Sequence, residues 1–247
     1  MQKTAGQKLP YDPAYFKNKT VIFCLPGKSF NGQFLMNWTR LVQKCDEYGI
    51  TIMYINCYNA NVYYTRNMCL YGNILEGSKQ RPFQGKIKYD YIMWVDDDIL
   101  FSVDHFFKLL HIMEHRGNAF KVLTGLYPMA NNTHYAAVRK LDMDYFQKNG
   151  KFEFLAKDDS VIEDKDLIQV EYTGFGFLLM RHGVLEAMDY PWFSPVDMSF
   201  KHPDTGVLVK DFTSEDVGFC LKLKMKLGIH IYAVSDVRVN HYKPVYL

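Results

Sequence analysis

The sequence feature that most constrains the fold is an apolar strand that ends abruptly in acids. Tyr91 to Val95 form an uninterrupted apolar run, with the length and the aromatic and β-branched content of a buried central strand. Three consecutive carboxylates follow it, Asp96, Asp97 and Asp98. Three adjacent acids repel one another, so stability alone does not explain why they stand at a strand end.

This acidic strand end is a candidate metal site. A divalent cation would relieve the repulsion, because hard ions such as Mg²⁺ and Mn²⁺ take carboxylate oxygens as ligands. In open α/β sheets, ligands bind beyond the carboxyl ends of the strands, which is where these acids fall. The competing hypothesis is a solvated acidic turn that caps the following helix.

The first hundred residues alternate between strand-like and helical patterns. Apolar runs at 20–25, 50–55 and 91–95 indicate strands, and the segments 29–48 and 62–75 carry helical spacing. Strand, helix, strand, helix, strand is the order of a parallel, doubly wound sheet. We therefore predict an α/β fold with a Rossmann-like, mostly parallel central sheet and helices on both faces.

The middle of the chain shows a different pattern of apolar and polar residues. A fourth strand is expected at 120–124, and short alternating runs follow over 135–171. The pair Asn149-Gly150 within that segment is a common hairpin turn, so we predict a small antiparallel insertion there.

Two glycines interrupt the next strand-like run, 169–181. Glycine inside a strand often indicates that a ligand or a second backbone comes close, as Gly174 and Gly176 would allow. The segment 201–211 is expected to be a loop or hairpin that turns at Gly206.

Composition favours an ordered protein and excludes several functional classes. The 247 residues are 48% hydrophobic and 16% aromatic, which is too apolar for a disordered chain. A net charge of +2 gives no global argument for binding nucleic acid or a membrane surface. No apolar run approaches the roughly 18 residues of a transmembrane helix, and no signal peptide is recognised. We therefore expect a cytoplasmic protein, located in the host cytoplasm if its source is a virus.

The five cysteines are odd in number and lie mostly within apolar patterns, so we expect them to be reduced. The turn Gly27-Lys28-Ser29 is like a fragment of a phosphate loop, but the full GxxxxGK[ST] pattern is absent. An ATP-type phosphate loop is therefore excluded.

In their order along the chain, these features resemble the GT-A fold of nucleotide-sugar-dependent glycosyltransferases, over about residues 19–244. The acid triplet resembles the family's DxD motif. The other matching pieces are Arg66-Asn67 for the Arg-Asn of the donor-site helix, 174–177 for the glycine-containing acceptor strand, 214–222 for the Glu-Asp helix, and His241 for the late histidine. Small viral and bacterial members are closest in length.

The resemblance implies a single domain over residues 1–247. A polar lead-in at 1–18 would precede a nucleotide-sugar-binding half at about 19–125 and an acceptor-binding half at about 126–247. It further implies transfer of a sugar from a UDP- or GDP-sugar donor to a hydroxyl of a glycan or glycoprotein acceptor, with inversion and with Mn²⁺ or Mg²⁺ as cofactor.

The resemblance also implies roles for the acidic residues and the late histidine. Asp98 would bind the metal, Asp96 would reach the metal or the ribose, and Asp97 would lie in the donor site with a less certain role. His241 would complete the metal shell or touch the diphosphate, unless it is an ordinary surface histidine. Lys243 could reach the phosphates.

For the general base, the resemblance favours Asp216, with Glu215 as second choice. The alternative is structural, because acids in the first turn of a helix also favour the helix dipole.

Residues after the first two strands would frame the nucleotide. These are Pro26, Gly27, Asn56 and Tyr58, with Tyr58 a stacking partner. Arg66 would pair with the diphosphate or organise the acidic cluster. Three aromatics are candidates for a sugar platform, with burial in the core as the alternative: Tyr127, Trp192 and Phe193.

Two other functions stay open from sequence. A nucleotidyltransferase acting on a sugar phosphate would also use carboxylates and a metal on an α/β sheet. A carbohydrate-binding module without catalytic activity is the non-enzymatic alternative, and within glycosyltransferases retention of configuration is not excluded.

Overall fold

The computed structural model describes residues 9–242. Residues 1–8 of the predicted lead-in, and Lys243, lie outside the described residues. The strands are β1 (Thr20–Pro26), β2 (Thr51–Cys57), β3 (Tyr91–Val95), β4 (Ile99–Leu100), β5 (Val122–Leu126), β6 (Ala137–Val138), β7 (Leu167–Val170), β8 (Tyr172–Thr173), β9 (Phe177–Arg181), β10 (Asp197–Lys201), β11 (Leu208–Phe212), β12 (Ile231–Arg238) and β13 (Asn240–His241). The helices are α1 (Gly32–Glu47), α2 (Val62–Cys69), α3 (Val103–His115), α4 (Met143–Asn149), α5 (Val161–Asp164) and α6 (Glu215–Lys222), with a π-helical turn at Leu223–Leu227.

A seven-stranded sheet forms the centre of the fold, in the order β2-β1-β3-β9-β5-β12-β7. Strands β2 and β3 run parallel to β1, and β12 runs parallel to β5. Strand β9 is antiparallel to its neighbours β3 and β5, and β7 is antiparallel to β12. Five of the seven strands point in one direction, with β9 and β7 reversed, so the prediction of a mostly parallel sheet is confirmed.

Two hydrophobic cores cover the two faces of this sheet. Alternate residues of β3 enter opposite cores, because successive side chains of a strand point to opposite faces. Ile92 and Trp94 pack with residues of α2 and α6, whereas Tyr91, Met93 and Val95 pack with residues of α1 and α3. All five are at most 1% exposed, as expected for a central strand.

The predicted hairpin turn at Asn149-Gly150 is wrong. These residues end helix α4, with Gly150 in the left-handed conformation and its N–H donating to the carbonyl of Phe146. A helix C-terminus needs the same positive φ as a hairpin turn, so the Asn-Gly pair suits both. Asp142 confirms the helix from the other end, because its side chain accepts from the Tyr145 N–H as an N-cap.

The antiparallel character of the second half comes from other pairs. Strand β6 pairs with β8, and β10 pairs with β11 in a hairpin whose turn contains Gly206 at a φ of 69°. The strand predicted over 169–181 is divided among β7, β8 and β9, since each pairs with a different partner.

Helix α2 is shorter than the predicted segment 62–75. It ends at Cys69, and Tyr71 then takes a positive φ of 59°, which turns the chain away from the helix axis. In the described part of the chain no helix has both the length and the apolar character needed to cross a membrane. All five cysteines are free, as predicted.

Candidate active site

The predicted site residues gather at the sheet edge where the parallel strands end. Asp96 follows β3 directly, and its N–H donates to the carbonyl of Gly176, just before β9 begins. His241 is brought to the same edge by β13, which pairs with β4 so that His241 lies opposite Ile99. Residues far apart in sequence therefore meet beyond the carboxyl ends of the strands.

Arg66 lies at the centre of a buried ion cluster. Its Nη1 and Nη2 donate to the two carboxylate oxygens of Asp96 at 3.0 and 3.1 Å, and its Nε donates to Glu215 Oε1 at 3.2 Å. The guanidinium also lies over the rings of Trp94 and Phe175. Arg66 is 4% exposed and Glu215 is 7% exposed, so this pair is removed from water, whereas the Asp96 side chain is 25% exposed.

The cluster joins three elements through one cation and two anions. Burial alone would lower the pKa of Arg66, but the Asp96 and Glu215 carboxylates raise it. Burial and the neighbouring Asp216 raise the pKa of Glu215, against the opposing effect of Arg66. Of the two roles expected of Arg66, these contacts are those of a residue that organises the acidic cluster.

Asp98 has a different partner from Asp96. His241 Nε2 lies 2.8 Å from Asp98 Oδ2, and its Nδ1 lies 2.9 Å from the carbonyl oxygen of Pro128. A carbonyl can only accept a hydrogen bond, so Nδ1 carries a proton. The Nε2 lone pair of a neutral ring would then face a carboxylate oxygen, which is a contact between two acceptors.

A cation between Asp98 and His241 would satisfy both acceptors, as a proton on Nε2 also would. A histidine whose other nitrogen is fixed by a carbonyl is the usual arrangement for a metal ligand. Among residues 9–242 no three His, Cys, Asp or Glu side chains are grouped to hold a metal. The pair therefore fits a metal that takes its remaining ligands from substrate and water, whereas both oxygens of Asp96 accept from Arg66.

Asp97 shapes the loop that follows β1. A Cβ added to Gly27 would lie 2.4 Å from the Asp97 side chain, so only glycine allows this approach. Burial and the two neighbouring acids raise the pKa of Asp97 above its usual value. Hydrogen bonds that its carboxylate accepts from the backbone N–H groups of Lys28 and Ser29 oppose this rise only in part. Pro26, the buried last residue of β1, precedes this loop.

Asn56 holds the same loop from the other side. Its side-chain amide donates to the carbonyls of Leu25 and Gly27 at 2.8 and 2.9 Å. Tyr58 is 54% exposed, and the Lys28 ammonium lies 5.8 Å from the centroid of its ring. The loop therefore presents an exposed aromatic ring and a cation beside a fixed backbone.

Glu215 and Asp216 are adjacent but have separate environments. Glu215 is buried against Arg66, whereas Asp216 is half-buried. Asp216 Oδ2 accepts from the Tyr172 hydroxyl at 3.2 Å, and Oδ1 accepts from the Val217 N–H at 2.9 Å and from the Ser214 hydroxyl. Of the two acids, Asp216 is the one with access to solvent.

Two of the three predicted platform aromatics, Trp192 and Phe193, are 0% exposed and belong to the core, so the platform prediction is wrong for them. Tyr127 is partly buried, and its platform role stays a prediction. The glycines of the acceptor strand make room for the protein's own side chain: a Cβ on Gly174 would lie 1.9 Å from Tyr127 Oη, and one on Gly176 would lie 2.9 Å from the same ring.

Two partly buried tyrosines border the site. Tyr127 packs edge-on to His241, with ring centroids 5.5 Å apart, and Tyr172 donates to Asp216. Tyr127 is one of the platform candidates expected from sequence, but sequence reasoning missed Tyr172, whose only local signal was its position two residues before Gly174.

Comparisons with known proteins place this fold among solved structures. No protein-family model matches the chain, and no curated protein matches it in sequence. The chain is similar to A197 from STIV, with a TM-score of 0.55 and 19% identity over 92% of this chain and 86% of that one. It is also similar to glucosyl-3-phosphoglycerate synthase from Mycobacterium tuberculosis in complex with Mg²⁺ and uridine diphosphate, with a TM-score of 0.50 and 9% identity over 96% of this chain and 78% of that one. The chain therefore has the GT-A fold that its sequence motifs predict.

Proposed function

We propose that this protein is a metal-dependent glycosyltransferase. It would move a sugar from a nucleoside-diphospho sugar to a hydroxyl of a glycan or glycoprotein, with inversion at the anomeric carbon. The observation that carries the proposal is the contact of His241 Nε2 with Asp98 Oδ2 at 2.8 Å, beyond the end of a central strand. The fold supports it, since a similar structure binds Mg²⁺ and uridine diphosphate.

On the donor side, Asp98 and His241 would hold Mg²⁺ or Mn²⁺. When bound, the ion neutralises charge on the leaving diphosphate. The loop of Gly27 and Lys28 and the exposed ring of Tyr58 would contact the ribose and base. Arg66 would act indirectly, because its donors are engaged by Asp96 and Glu215.

On the acceptor side, Asp216 would be the general base. Its carboxylate takes the proton of the acceptor hydroxyl, and the oxygen then bonds to the anomeric carbon as the bond to the diphosphate oxygen breaks. Glu215 is the weaker candidate, because it is 7% exposed and paired with Arg66. A base must come within hydrogen-bond reach of the proton that it removes.

The first test is a thermal-shift screen of UDP- and GDP-sugars, with and without Mn²⁺, on the full chain and on Asp98→Asn. Ligand at 100 times its Kd stabilises the native state by about 2.7 kcal/mol, so a donor should raise the midpoint. We expect a metal-dependent rise in the wild type that Asp98→Asn lacks. No rise with any nucleotide sugar would favour a carbohydrate-binding module.

The second test identifies the products formed from the donor that binds. Release of a nucleoside diphosphate with a new glycosidic bond is expected, whereas release of inorganic diphosphate would indicate a nucleotidyltransferase. Asp216→Asn should bind the donor normally but lose turnover about 100-fold or more, as removal of a general base does. An unchanged rate would exclude Asp216 as the base.

A further inference from the structure

The side chain of Asp216 is held in one orientation by neighbours on both of its oxygens. Oδ1 accepts from the Val217 N–H and the Ser214 hydroxyl, both in the same helical turn. Oδ2 accepts from Tyr172, which is 44 residues away in sequence and belongs to β8. The contact from β8 is thus the one among these three that fixes the carboxylate relative to an element outside α6, the two-stranded sheet of β6 and β8.

Tyr172 is itself well fixed. Strand β8 pairs with β6, where Tyr172 lies opposite Val138, and its ring packs edge-on against Phe154. Burial raises the pKa of Tyr172 well above its usual value, with Asp216 adding to the effect, so the phenol keeps its proton. An ionised carboxylate only accepts, which makes Tyr172 the donor.

We propose that Tyr172 is a positioning residue that aims Asp216 at the acceptor hydroxyl. With Oδ1 bound by its own helix turn and Oδ2 bound by Tyr172, rotation of the carboxylate about its χ2 angle would break hydrogen bonds on both sides. The proposal rests on the proposed function, in which Asp216 removes the acceptor proton. The competing role is a purely structural tie between α6 and β8.

Other charged or titratable groups also lie near Asp216 and contribute to its electrostatic environment. They are Arg66 from α2, Glu215 and Cys220 from α6, and Tyr127 from the loop after β5. Tyr172→Phe leaves all of these neighbours in place, so it removes a single hydrogen bond from the carboxylate.

The test compares Tyr172→Phe with Tyr91→Phe. Tyr91 is a buried tyrosine that donates to Glu114, away from the site, so it is a matched control for the loss of a phenol–carboxylate hydrogen bond. For Tyr172→Phe we expect kcat to fall about tenfold, as for one hydrogen bond to a charged group, with an unchanged KM for the donor. The control Tyr91→Phe should leave both kcat and KM unchanged.

A double mutant separates positioning from tethering. If Tyr172 acts through Asp216, then Tyr172→Phe should cost nothing further in an Asp216→Asn background. An equal loss in both backgrounds, or wild-type turnover in Tyr172→Phe, would overturn the proposal while leaving Asp216 as the base.

A measurement without turnover distinguishes failure of this inference from failure of the proposed function. The carbon-13 chemical shift of the Asp216 carboxyl can be compared at one pH in wild type, Tyr172→Phe and Tyr91→Phe. A change of that chemical shift in Tyr172→Phe alone would establish the contact. If the chemical shift changes but Asp216→Asn turns over normally, the proposed base is wrong and the positioning role falls with it. If the chemical shift does not change, the Tyr172 contact is absent in solution.

Discussion

Two groups of charged residues lie at the same sheet edge and differ in how their charge is satisfied. The Arg66 cluster is closed: one guanidinium donates to Asp96 and Glu215, and both the arginine and the glutamate are below 10% exposure. The Asp98–His241 pair is open, with side chains 40% and 16% exposed and a single side-chain contact of 2.8 Å between them.

The difference shows that adjacent acids in one triplet have separate tasks. Asp96 stabilises an internal cluster, Asp97 holds the loop after β1, and Asp98 faces a histidine. A closed cluster fixes the positions of α2, β3 and α6, because breaking a buried ion pair is expensive. An open pair contributes little to stability, because its charges remain exposed to solvent.

The largest effect is expected from opening the closed cluster. Arg66→Met leaves Glu215 buried and Asp96 partly buried without their partner, and removing one member of a buried ion pair costs about 3–5 kcal/mol. Urea denaturation should show this loss, and Arg40→Met, on the exposed face of α1, should change stability little. The loss should shrink when Asp96→Asn and Glu215→Gln are added, since the buried charges are then absent. A loss below about 1 kcal/mol would mean that the cluster is hydrated.

The open pair should behave in the opposite way. Asp98→Asn should lower turnover by about 100-fold or more, on the scale of removing one electrostatic contact to developing charge, with little change in the free energy of unfolding. Activity measured against Mn²⁺ concentration tests the substitution, with Asp104→Asn on nearby α3 as control. Wild-type activity in Asp98→Asn would exclude the metal role, and a large loss of stability would remove the distinction between the two groups.

The sequence predicts these two groups to different degrees. The strand 91–95 is recognisable because its apolar run is local, and Asp98 stands out because a buried strand leads to it. The contact of Arg66 with Glu215 spans 149 residues, and no local pattern carries it. The division of tasks among three adjacent acids depends on which partner each one meets after folding.

Glycine shows the same limit. Gly174 and Gly176 correctly predict a close approach, but the group that approaches is Tyr127 rather than a ligand or backbone. Asn149-Gly150 correctly predicts a positive φ, but in a helix end rather than a hairpin. A glycine indicates a backbone conformation or a space, and only tertiary structure determines what uses it.

A smaller effect is expected at Tyr127, which packs edge-on to His241 and lies against the two glycines of the acceptor strand. In Gly174→Ala the new Cβ would lie 1.9 Å from Tyr127 Oη, and overpacking of this kind costs about 1–3 kcal/mol. Tyr127→Phe in the same chain should recover part of the loss, because it removes the closest atom. Gly32→Ala is the control, since nothing lies within 4 Å of its added Cβ. A loss of metal-dependent activity in Gly174→Ala would indicate that the new Cβ pushes Tyr127 toward His241. An unchanged free energy of unfolding in Gly174→Ala would mean that Tyr127 does not lie against Gly174.

The smallest effect is the pH dependence of stability that comes from His105. His105 caps α3: its Nδ1 accepts from the Ser102 N–H, which requires a neutral ring. Burial lowers the pKa of His105 below its usual 6.5, so between the two values the unfolded chain binds more protons than the folded one. The cap should therefore stabilise the fold fully above pH 6.5 and lose that contribution, which is less than about 1 kcal/mol, as the pH falls through the lowered pKa.

His105→Gln keeps an acceptor at this capping-box position without titrating, so urea midpoints from pH 8 to 5 should fall less steeply in the variant than in wild type. Equal slopes would assign the whole pH dependence to groups other than His105.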